Sequence, residues 1–258
     1  MPEAIKYETE NGIAQVQFNR PTVRNALNDR LLGELLDVLE CIEATDDVYA
    51  VVLTGNGPAF SAGGDIPAVQ DWQSADWSEF EVELQAFQDI VSQLRSMSTP
   101  SVAAVNGPAV GAGCDIALAC DVRVVSPEAE LIEGFVTIGL VSGDGGAWLL
   151  PRLIGESRAK RYLLTGDPIT AEAAVNMGLA VEQTDSVLDA ATAFAERLRD
   201  LPRAAVSYTK EMATMKPESL EDHFDLATDA QWACLQDAEH RETLAARLDG
   251  RDPDLNRF

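Results

Sequence analysis

Residue types that build metal centres, disulfide frameworks and histidine-based catalytic sites are scarce in this 258-residue sequence. It has 2 histidines, His223 and His240, and no His-Glu-x-x-His cluster. Its 4 cysteines show no Cys-x-x-Cys spacing, which is typical of reduced core residues rather than of a disulfide or a zinc site. No Gly-x-Ser-x-Gly motif is present either. We therefore expect neither a bound metal ion nor serine–histidine hydrolysis.

Long apolar runs are also missing from the sequence. No stretch approaches the roughly 20 apolar residues that a bilayer-spanning helix needs, and residues 1–6 lack the apolar centre of a signal peptide. Hydrophobic residues nevertheless make up 46% of the chain, which is enough for a sizeable core. We therefore expect a cytoplasmic globular protein without a membrane partner.

Basic residues are few, since 19 lysines and arginines stand against 43 aspartates and glutamates, for a formal net charge of −24. Such a field repels nucleic acids and anionic membranes, so binding to either is not expected. The acidic residues are spread along the chain rather than gathered in a tail. A dispersed acidic surface keeps a protein soluble at high salt concentration. We therefore hypothesise that the protein comes from a halophilic organism and that its stability depends on salt concentration.

The order of apolar patterns predicts the fold class. Alternating residues predict a hairpin of Ile5–Glu8 and Ile13–Phe18, and buried-type strands follow in alternation with helices. The other predicted elements include a helix capped by Asn28, a helix from Trp77 to Met97, strands at Ser101–Val105 and Leu179–Val181, and a tail broken at Pro202 and Pro217. We predict an α/β core over residues 1–200 and a helical C-terminal subdomain over residues 201–258.

Two glycine-rich loops, residues 55–65 and 106–115, each follow a predicted strand. The second leads into a predicted helix over Ile116–Ala119, with Asp115 near its start, and a helix N-terminus can hold a developing oxyanion. Taken alone, this segment is better described as a tight joint between strand and helix, because such joints are common. Carboxylates near the loops in sequence are Asp65, Asp115, Glu133 and Asp144. Backbone donors from separate loops together with carboxylates suit enolate chemistry beside a carbonyl.

A series of motifs in a fixed order extends from the N-terminal region to residue 183. They are Asn19-Arg-Pro21 with Asn25-Ala-Leu27, Phe60-Ser-Ala-Gly-Gly-Asp65, Ala104-Val-Asn-Gly107 with Gly111-Ala-Gly-Cys-Asp115 and Ala119-Cys-Asp121, Gly139 with Gly145-Gly146, and Leu164-Thr-Gly166 with Ala173-Ala174 and Gly178-Leu179. In this order the sequence resembles the crotonase (enoyl-CoA hydratase/isomerase) superfamily. The resemblance implies a spiral of ββα units with a helical C-terminal trimerisation region, a homotrimer or homohexamer, and an acyl-CoA substrate. It implies no cofactor besides the coenzyme A that is part of the substrate.

The resemblance also implies roles for individual residues. The backbone N–H groups of Gly64 and Ala112 would form an oxyanion hole for the thioester oxygen, although family members usually carry glycine where Ala112 stands. Arg24 falls where several members contact the coenzyme A phosphates, and a solvated loop arginine is an alternative interpretation. The implied substrate-binding residues are Arg24, Ala62, Gly64, Asp65, Ile66 and Phe135.

The catalytic acids depart from the family pattern. Hydratases use two glutamates, and the corresponding positions here are occupied by Asp115 and by Phe135, which cannot exchange protons. Glu133 could face the site only if the local backbone differs from the family's. Asp144 lies one residue after the position of a catalytic aspartate in several isomerases, and it could alternatively cap the helix that starts near Gly145. We select Asp115 and Asp144 as the acid/base candidates.

The resulting functional hypothesis is an enoyl-CoA hydratase/isomerase that acts through an enolate, in fatty-acid β-oxidation or related acyl-CoA catabolism. Double-bond isomerisation needs only the removal and return of a proton, so it tolerates Phe135 better than hydration does. An isomerase without hydratase activity and a non-catalytic acyl-CoA-binding member are the alternatives.

Overall fold

The computed structural model describes residues 3–215 and 219–255, so the helix break predicted at Pro217 lies outside the described residues. In these residues two sheets are flanked by helices. The strands are β1 (Ile5–Glu10), β2 (Ile13–Phe18), β3 (Ala50–Gly55), β4 (Ser101–Val105), β5 (Ala109–Val110), β6 (Val122–Val125), β7 (Glu130–Ile132), β8 (Ile169–Thr170) and β9 (Glu182–Gln183). The helices are α1 (Asp29–Glu43), α2 (Ile66–Asp71), α3 (Trp77–Ser96), α4 (Ala112–Ala119), α5 (Gly146–Ile154), α6 (Glu156–Thr165), α7 (Ala171–Asn176), α8 (Val187–Arg199), α9 (Arg203–Thr214), α10 (Leu220–Gln236) and α11 (Ala238–Asp249).

The N-terminal hairpin forms as the alternating pattern predicts. β1 and β2 pair antiparallel, and the turn residues Asn11 and Gly12 have φ angles of 50° and 76°. Positive φ at both turn positions matches the right-handed twist of the strands, and Asn and Gly are the residues that tolerate it. The helix after the hairpin begins as predicted, because Asn28 Oδ1 accepts a hydrogen bond from the Leu31 N–H at 3.1 Å.

The larger sheet has the strand order β1-β2-β3-β4-β6-β9, and every pair after the hairpin is parallel. The smaller sheet has the order β5-β7-β8. The chain passes from β4 in the larger sheet to β5 in the smaller and then to α4, and it repeats this path through β6, β7 and α5. Because β3 and β4 run parallel in register, the loops that follow them emerge at the same edge of the sheet.

The core lies between the larger sheet and the helices on its two faces. One cluster of buried side chains joins α1, α3 and α4 to the sheet, with Leu31, Leu35 and Ile90 fully buried. A second cluster joins the opposite face to α8, through Val52, Val102 and Ala191 among others. Burying a leucine or isoleucine side chain stabilises the fold by about 1.5–3 kcal/mol. Both faces of β4 are therefore covered, which explains its continuous apolar sequence.

Several elements differ from their predictions. Helix α4 begins at Ala112 rather than Ile116, because Gly111 adopts φ 52° and allows the helix to start directly after the loop. The N–H groups of Leu179 and Ala180 bond to the Ala174 carbonyl at the end of α7, so the last strand begins at Glu182 instead. Helix α6 was not predicted, because its sequence is polar and buries only Ala159 and Tyr162.

The C-terminal helices are joined to the core by a buried lysine. Lys210 of α9 donates to Asp121 Oδ2 at 2.9 Å and to the carbonyls of Leu94 and Thr99 at 3.1 and 3.0 Å. The pairing satisfies a charge that would otherwise be costly to bury. We retain the division into residues 1–200 and 201–258 as a proposal. None of the helices in the described ranges is long and apolar enough to cross a membrane.

Candidate functional site

The loop after β3 is held in shape by a buried asparagine. Asn25 has no exposed surface, and its Nδ2 donates to the carbonyls of Ala59 and Phe60 at 2.9 and 3.2 Å. Its Oδ1 accepts from the Arg20 N–H at 2.9 Å. Asn25 also adopts φ 57°, a conformation that asparagine tolerates better than most residues. The side chain therefore replaces the backbone partners that this irregular loop lacks.

The loop after β4 lies directly against the first loop. The N–H groups of Phe60 and Ser61 donate to the Pro108 carbonyl at 3.1 and 3.2 Å, and the Val110 N–H donates to the Ser61 carbonyl at 2.9 Å. A Cβ on Gly63 would lie 2.5 Å from the Val110 carbonyl oxygen, and Gly63 has φ 83°. Both the close approach and the backbone conformation therefore require glycine at this position.

Two backbone N–H groups meet at this contact without acceptors. Gly64 and Ala112 both line the cavity described below, and neither N–H donates to any acceptor in residues 3–215 or 219–255. Ala112 is the first residue of α4, where the helix has no internal acceptor for its N–H. Two unpaired donors, one at a helix N-terminus, form an arrangement that can bind an oxyanion.

A cavity of about 330 Å³ extends from the two donors. Its wall is mostly apolar, with aromatic side chains from α2–α3 and from the segment after β7. The aromatic lining residues are Trp72, Phe80, Phe87 and Phe135. The ring of Trp72 packs edge-on against Phe80 and Phe87, with centroids 5.5 and 6.2 Å apart. An apolar wall of this kind excludes water and strengthens electrostatic interactions inside the cavity.

Asp144 is the one carboxylate among the residues that line this cavity. Its side chain is 7% exposed and takes part in no hydrogen bond or ion pair with the described residues. Burial, followed by the charge of Asp115, raises the pKa of Asp144 to about 7. The alternative interpretation of Asp144 as a helix cap is wrong, because the N-cap of α5 is Gly145 and the Asp144 side chain makes no capping hydrogen bond. Ser142 instead bonds to the first turn of α5, because its Oγ accepts a hydrogen bond from the Ala147 N–H at 3.0 Å.

Asp115 and Glu133 lie behind the cavity wall rather than in it. Their side chains are 0% and 2% exposed, and neither is among the lining residues. Both contact Gly146, because a Cβ on this glycine would lie 2.1 Å from Asp115 Oδ1 and 2.5 Å from both oxygens of Glu133. The structure therefore brings Glu133 beside Asp115, and the prediction that Asp115 faces the substrate is not supported by its position.

Burial raises the pKa of both carboxyl groups of this pair. For Asp115 the charge of Glu133 adds to the effect of burial, and the pKa lies well above its usual range. For Glu133 burial also raises the pKa, and a hydrogen bond with Asp115 partly offsets it. When both groups are ionised, Asp115 Oδ1 and both oxygens of Glu133 have no hydrogen-bond partner among the described residues. A hydrogen bond between them therefore requires a proton on one of the two.

Phe135 occupies the cavity wall where a second catalytic glutamate was expected from the resemblance. A Cβ on Gly111 would lie 3.4 Å from Phe135 Cζ, so the ring rests on the start of α4. Phe135 belongs to a short 3-10 helix, Gly134–Ile138, that follows β7. The ring of Phe135 contributes apolar surface beside the two free N–H donors. It contributes no group that could transfer a proton.

The residues predicted to contact coenzyme A lie along one rim of the cavity. Ala62 and Ile66 are exposed lining residues, and the Ala62 N–H donates to the Arg24 carbonyl at 2.9 Å. Arg24 is exposed and adjoins this rim through that hydrogen bond. Asp65 forms an ion pair with Arg20 at 3.0 Å, so Arg20 neutralises one acidic side chain at the rim.

Three residues of the site were not selected from the sequence. Asn25 and Arg20 belong to the quoted motifs, but only the structure assigns them the loop contacts described above. Ser142, whose Oγ also lies 3.4 Å from Asp115 Oδ2, carried no sequence signal. Across the part of the chain that the structure describes, no group of three or more His, Cys, Asp or Glu side chains could hold a metal ion.

Comparison with known proteins identifies the family. The family model described as enoyl-CoA hydratase/isomerase matches residues 8–257 of this chain. The chain belongs to the enoyl-CoA hydratase/isomerase family. A Mycobacterium bovis relative named probable enoyl-CoA hydratase echA12 is 35% identical, over 93% of this chain and 88% of that protein. The 1,2-epoxyphenylacetyl-CoA isomerase of Escherichia coli is 30% identical, over 98% of both chains.

The solved structures of this family share the fold. The crystal structure of an enoyl-CoA hydratase from Bacillus anthracis superposes with a TM-score of 0.91 at 27% identity, over 97% of this chain and 98% of that one. The predicted membership in the crotonase superfamily and the predicted α/β spiral with C-terminal helices are thereby confirmed. Members of the enoyl-CoA hydratase/isomerase family act on coenzyme A thioesters, and the two named relatives catalyse different reactions by their names.

Proposed function

We propose that this protein moves a proton on an enoyl-CoA thioester through an enolate, with Asp144 as the group that removes and returns the proton. The observation that carries the proposal is the meeting of three features in one apolar cavity. The N–H groups of Gly64 and Ala112 are without acceptors, and the Asp144 carboxyl is without a partner in the described chain. A carbonyl oxygen bound to the two donors would bring its α-carbon into the same cavity as Asp144.

The donors would act on charge that develops during the reaction. Removal of a proton next to a thioester carbonyl leaves an enolate, whose negative oxygen would accept from Gly64 and Ala112. The positive end of the α4 dipole adds to this stabilisation. Loss of one donor from an oxyanion hole typically lowers kcat about 10²–10³-fold. Because the donor at Ala112 is a backbone group, alanine can serve at this position.

Asp144 would act as base and then as acid in the same turnover. The carboxylate takes a proton from one carbon of the acyl chain, the electrons form the enolate, and the carboxylic acid returns the proton to a different carbon. The double bond moves and no atom is gained or lost. A pKa of about 7 allows both protonation states near neutral pH, which suits a group that must do both tasks.

Isomerisation fits this cavity better than hydration does. Hydration also requires a water molecule to be activated while a proton is delivered to carbon, which hydratases of the family divide between two acids. Here one carboxylate lines the cavity, Phe135 stands where the second would be, and Asp115 lies behind the wall. Hydration and acyl-CoA binding without catalysis remain as outcomes of the test below.

The remaining site residues would bind the substrate. The rim formed by Ala62, Gly64 and Ile66 would contact the coenzyme A portion, with Asp65 closing the loop through its pair with Arg20. Arg24 would contact the phosphates from the edge of that rim. Phe135 would pack against the acyl group. We propose no cofactor besides the coenzyme A of the substrate.

Other aspects of the setting are proposals as well. We propose a cytoplasmic enzyme of fatty-acid or related acyl-CoA catabolism that assembles as a homotrimer or homohexamer. The supporting observation for assembly is the exposed apolar surface of α10 and α11, which is discussed below. The dispersed net charge of −24 supports a halophilic source, with stability that rises with salt concentration.

The purified protein is tested in high salt with enoyl-CoA thioesters whose double bond is either conjugated with the carbonyl or one position removed. We expect conversion of the non-conjugated thioester into the conjugated one, and at least a 10²-fold lower kcat for Asp144→Asn. Consumption of the conjugated thioester with water uptake would instead indicate hydration. Binding without either conversion would indicate a non-catalytic member and contradict the proposal.

A further inference from the structure

Glu133 and Asp115 form a buried pair that the family's two-glutamate pattern does not describe. Glu133 directly follows β7, and Asp115 lies in the first turn of α4. Both side chains press against Gly146 at the start of α5, where a Cβ would lie 2.5 Å from each Glu133 oxygen and 2.1 Å from Asp115 Oδ1. Three segments of the chain thus bring two acids together where almost no water-exposed surface remains.

The surroundings of the pair supply no positive charge. No lysine, arginine or histidine of the described residues forms an ion pair with either carboxylate. Ser142 Oγ is the one hydroxyl in reach, at 3.4 Å from Asp115 Oδ2, and it is also the acceptor of the Ala147 N–H. The Gly146 N–H beside Asp115 and the Cys114 thiol beside Glu133 offset the rise of the two pKa values only in part. Two adjacent carboxylates without a cation are too costly to bury when both are ionised.

We propose that Glu133 is a positioning residue whose carboxylate accepts a hydrogen bond from protonated Asp115, so that the pair holds one proton and one negative charge behind Asp144. The shared proton supplies a partner for two of the three oxygens that otherwise lack one. Protons of this kind belong to the pair rather than to one residue. The part of the proposal that concerns Asp144 rests on the proposed function.

The pair would act on Asp144 through its charge. The titratable groups near it are Asp144, from the loop before α5, and Cys114, from α4, whose thiol pKa is raised by burial and by both carboxylates. A buried thiol of raised pKa stays neutral. The single negative charge of the pair is therefore the charge that acts on Asp144. This charge favours protonated Asp144 and helps to keep both protonation states available at neutral pH.

The geometry also explains why Gly146 must be glycine. Any side chain at residue 146 would overlap Asp115 and Glu133, since the distances to a Cβ are far below van der Waals contact. The same close approach places the first turn of α5, immediately after Asp144, against the pair. The pair thereby supports the loop that carries Asp144, in addition to acting on its charge.

The protonation of the pair is measured directly by infrared spectroscopy of the ligand-free protein. Asp144→Asn is used as the background, so that Asp144 contributes no carboxyl signal. At pH 7 we expect one carbonyl stretch of a protonated carboxyl group in this variant. The band should disappear when Glu133→Gln or Asp115→Asn is added, because the new amide donates to the remaining carboxylate and no shared proton is needed.

The influence on Asp144 is measured from the pH dependence of kcat/KM in the chain with Asp144 intact. Glu133→Gln leaves one negative charge, on Asp115, so we expect the acidic limb to stay near its wild-type position. Glu133→Leu leaves protonated Asp115 and no charge, so the limb should move to lower pH by on the order of one unit. A purely structural role for Glu133 would lower kcat in both variants without moving the limb.

Two results would overturn the proposal. One is the absence of a protonated carboxyl band from Asp144→Asn at pH 7, which would mean that both acids are ionised. The other is a band that persists in both double variants, which would place the proton elsewhere. Circular dichroism and thermal unfolding confirm that each variant is folded. Because the infrared measurement uses no substrate, it stands even if the protein fails to act on any acyl-CoA.

Discussion

Asp144 is the residue at which burial and charge have the largest consequence for both stability and chemistry. Its carboxyl is 7% exposed, has no hydrogen-bond partner among the described residues and has a pKa of about 7. The unfolded chain binds this proton with an ordinary carboxyl pKa near 3.8. Between these two values the folded protein retains a proton that the unfolded chain has lost. Folding is therefore favoured by this group at low pH and is opposed progressively as the pH rises toward 7.

Asp144→Asn should consequently change how stability depends on pH. Well below pH 3.8 the wild-type carboxyl is protonated in both the folded and the unfolded state, so the substitution avoids no buried charge there. Above pH 7 the variant avoids a buried carboxylate, a gain of up to about 4 kcal/mol in the free energy of unfolding. The measurement is chemical denaturation of both proteins from pH 4 to pH 9.

The exposed Asp185 provides the matched control for this comparison. Asp185→Asn removes the same charge from the surface, and we expect a change within about 0.5 kcal/mol at every pH. If the difference between wild type and Asp144→Asn stayed constant across the range, the raised pKa of Asp144 would be wrong. A difference that grows toward high pH supports it.

At the scale of single residues, the sequence predicted Asp144 and left Glu133 undecided. Side chains alternate along a strand, so Glu133 falls on the same side as Leu131, which is 1% exposed. This alternation was the available signal for burial of Glu133. The contact with Asp115 could not be predicted, because it depends on Gly146 bringing α5 against both acids. The role of Ser142 could not be predicted either, because its hydrogen bond with the Ala147 N–H depends on where α5 begins.

At the scale of elements, the site depends on the contact between the loop after β3 and the loop after β4. Gly63 lies against the Val110 carbonyl, 2.5 Å from the position of a Cβ, and has φ 83°. The parallel pairing of β3 with β4 brings the loops to the same edge, and the hydrogen bonds to Pro108 hold them together. The distance between the two free N–H groups is therefore set by this contact.

Gly63→Ala should disturb the oxyanion site while leaving the fold intact. The added methyl group must push the loops apart, and we expect kcat to fall about 10²-fold or more with acyl-CoA binding less affected. Gly155→Ala is the matched control, because Gly155 has φ 84° and nothing lies within 4 Å of its Cβ position. Both substitutions place a side chain at φ near 84°, which costs about 1–3 kcal/mol in backbone strain.

The comparison of these two alanine variants is made from kcat and from thermal unfolding. We expect Gly155→Ala to lose a few degrees of stability with kcat unchanged. Equal kcat values in the two variants would show that the loop contact does not control the site. The sequence predicted both loops and their strands, since each follows an apolar run and is rich in glycine. It could not predict their contact, which depends on strand register.

At the scale of the whole molecule, the C-terminal helices expose more apolar surface than a single chain needs. Trp232 is 65% exposed on α10, and Leu248 is 81% exposed on α11. Others on these helices are Leu220, Phe224, Leu235 and Leu244. Exposed apolar patches of this kind indicate contact with another protein, and we propose that copies of this chain supply it. The helical pattern of this region was predicted from sequence, but the direction of each apolar face was not.

Trp232→Glu combined with Leu248→Glu should dissociate the proposed assembly. Each substitution places a charge where apolar contact is proposed, so we expect sedimentation at the mass of one chain instead of three or six. Gln183→Glu adds the same charge on the exposed strand β9 and serves as the control. A wild-type protein that sediments as a single chain would contradict the proposed assembly.

The central claim is that Asp144 moves a proton on an enolate held by the N–H groups of Gly64 and Ala112. It is tested most directly by deuterium incorporation next to the thioester carbonyl of an acyl-CoA in D₂O, followed by mass spectrometry. We expect exchange with the wild-type protein and at least a 10²-fold slower exchange with Asp144→Asn, while calorimetry shows that the variant still binds the thioester. Exchange at the wild-type rate in a folded, ligand-binding Asp144→Asn variant would contradict the claim.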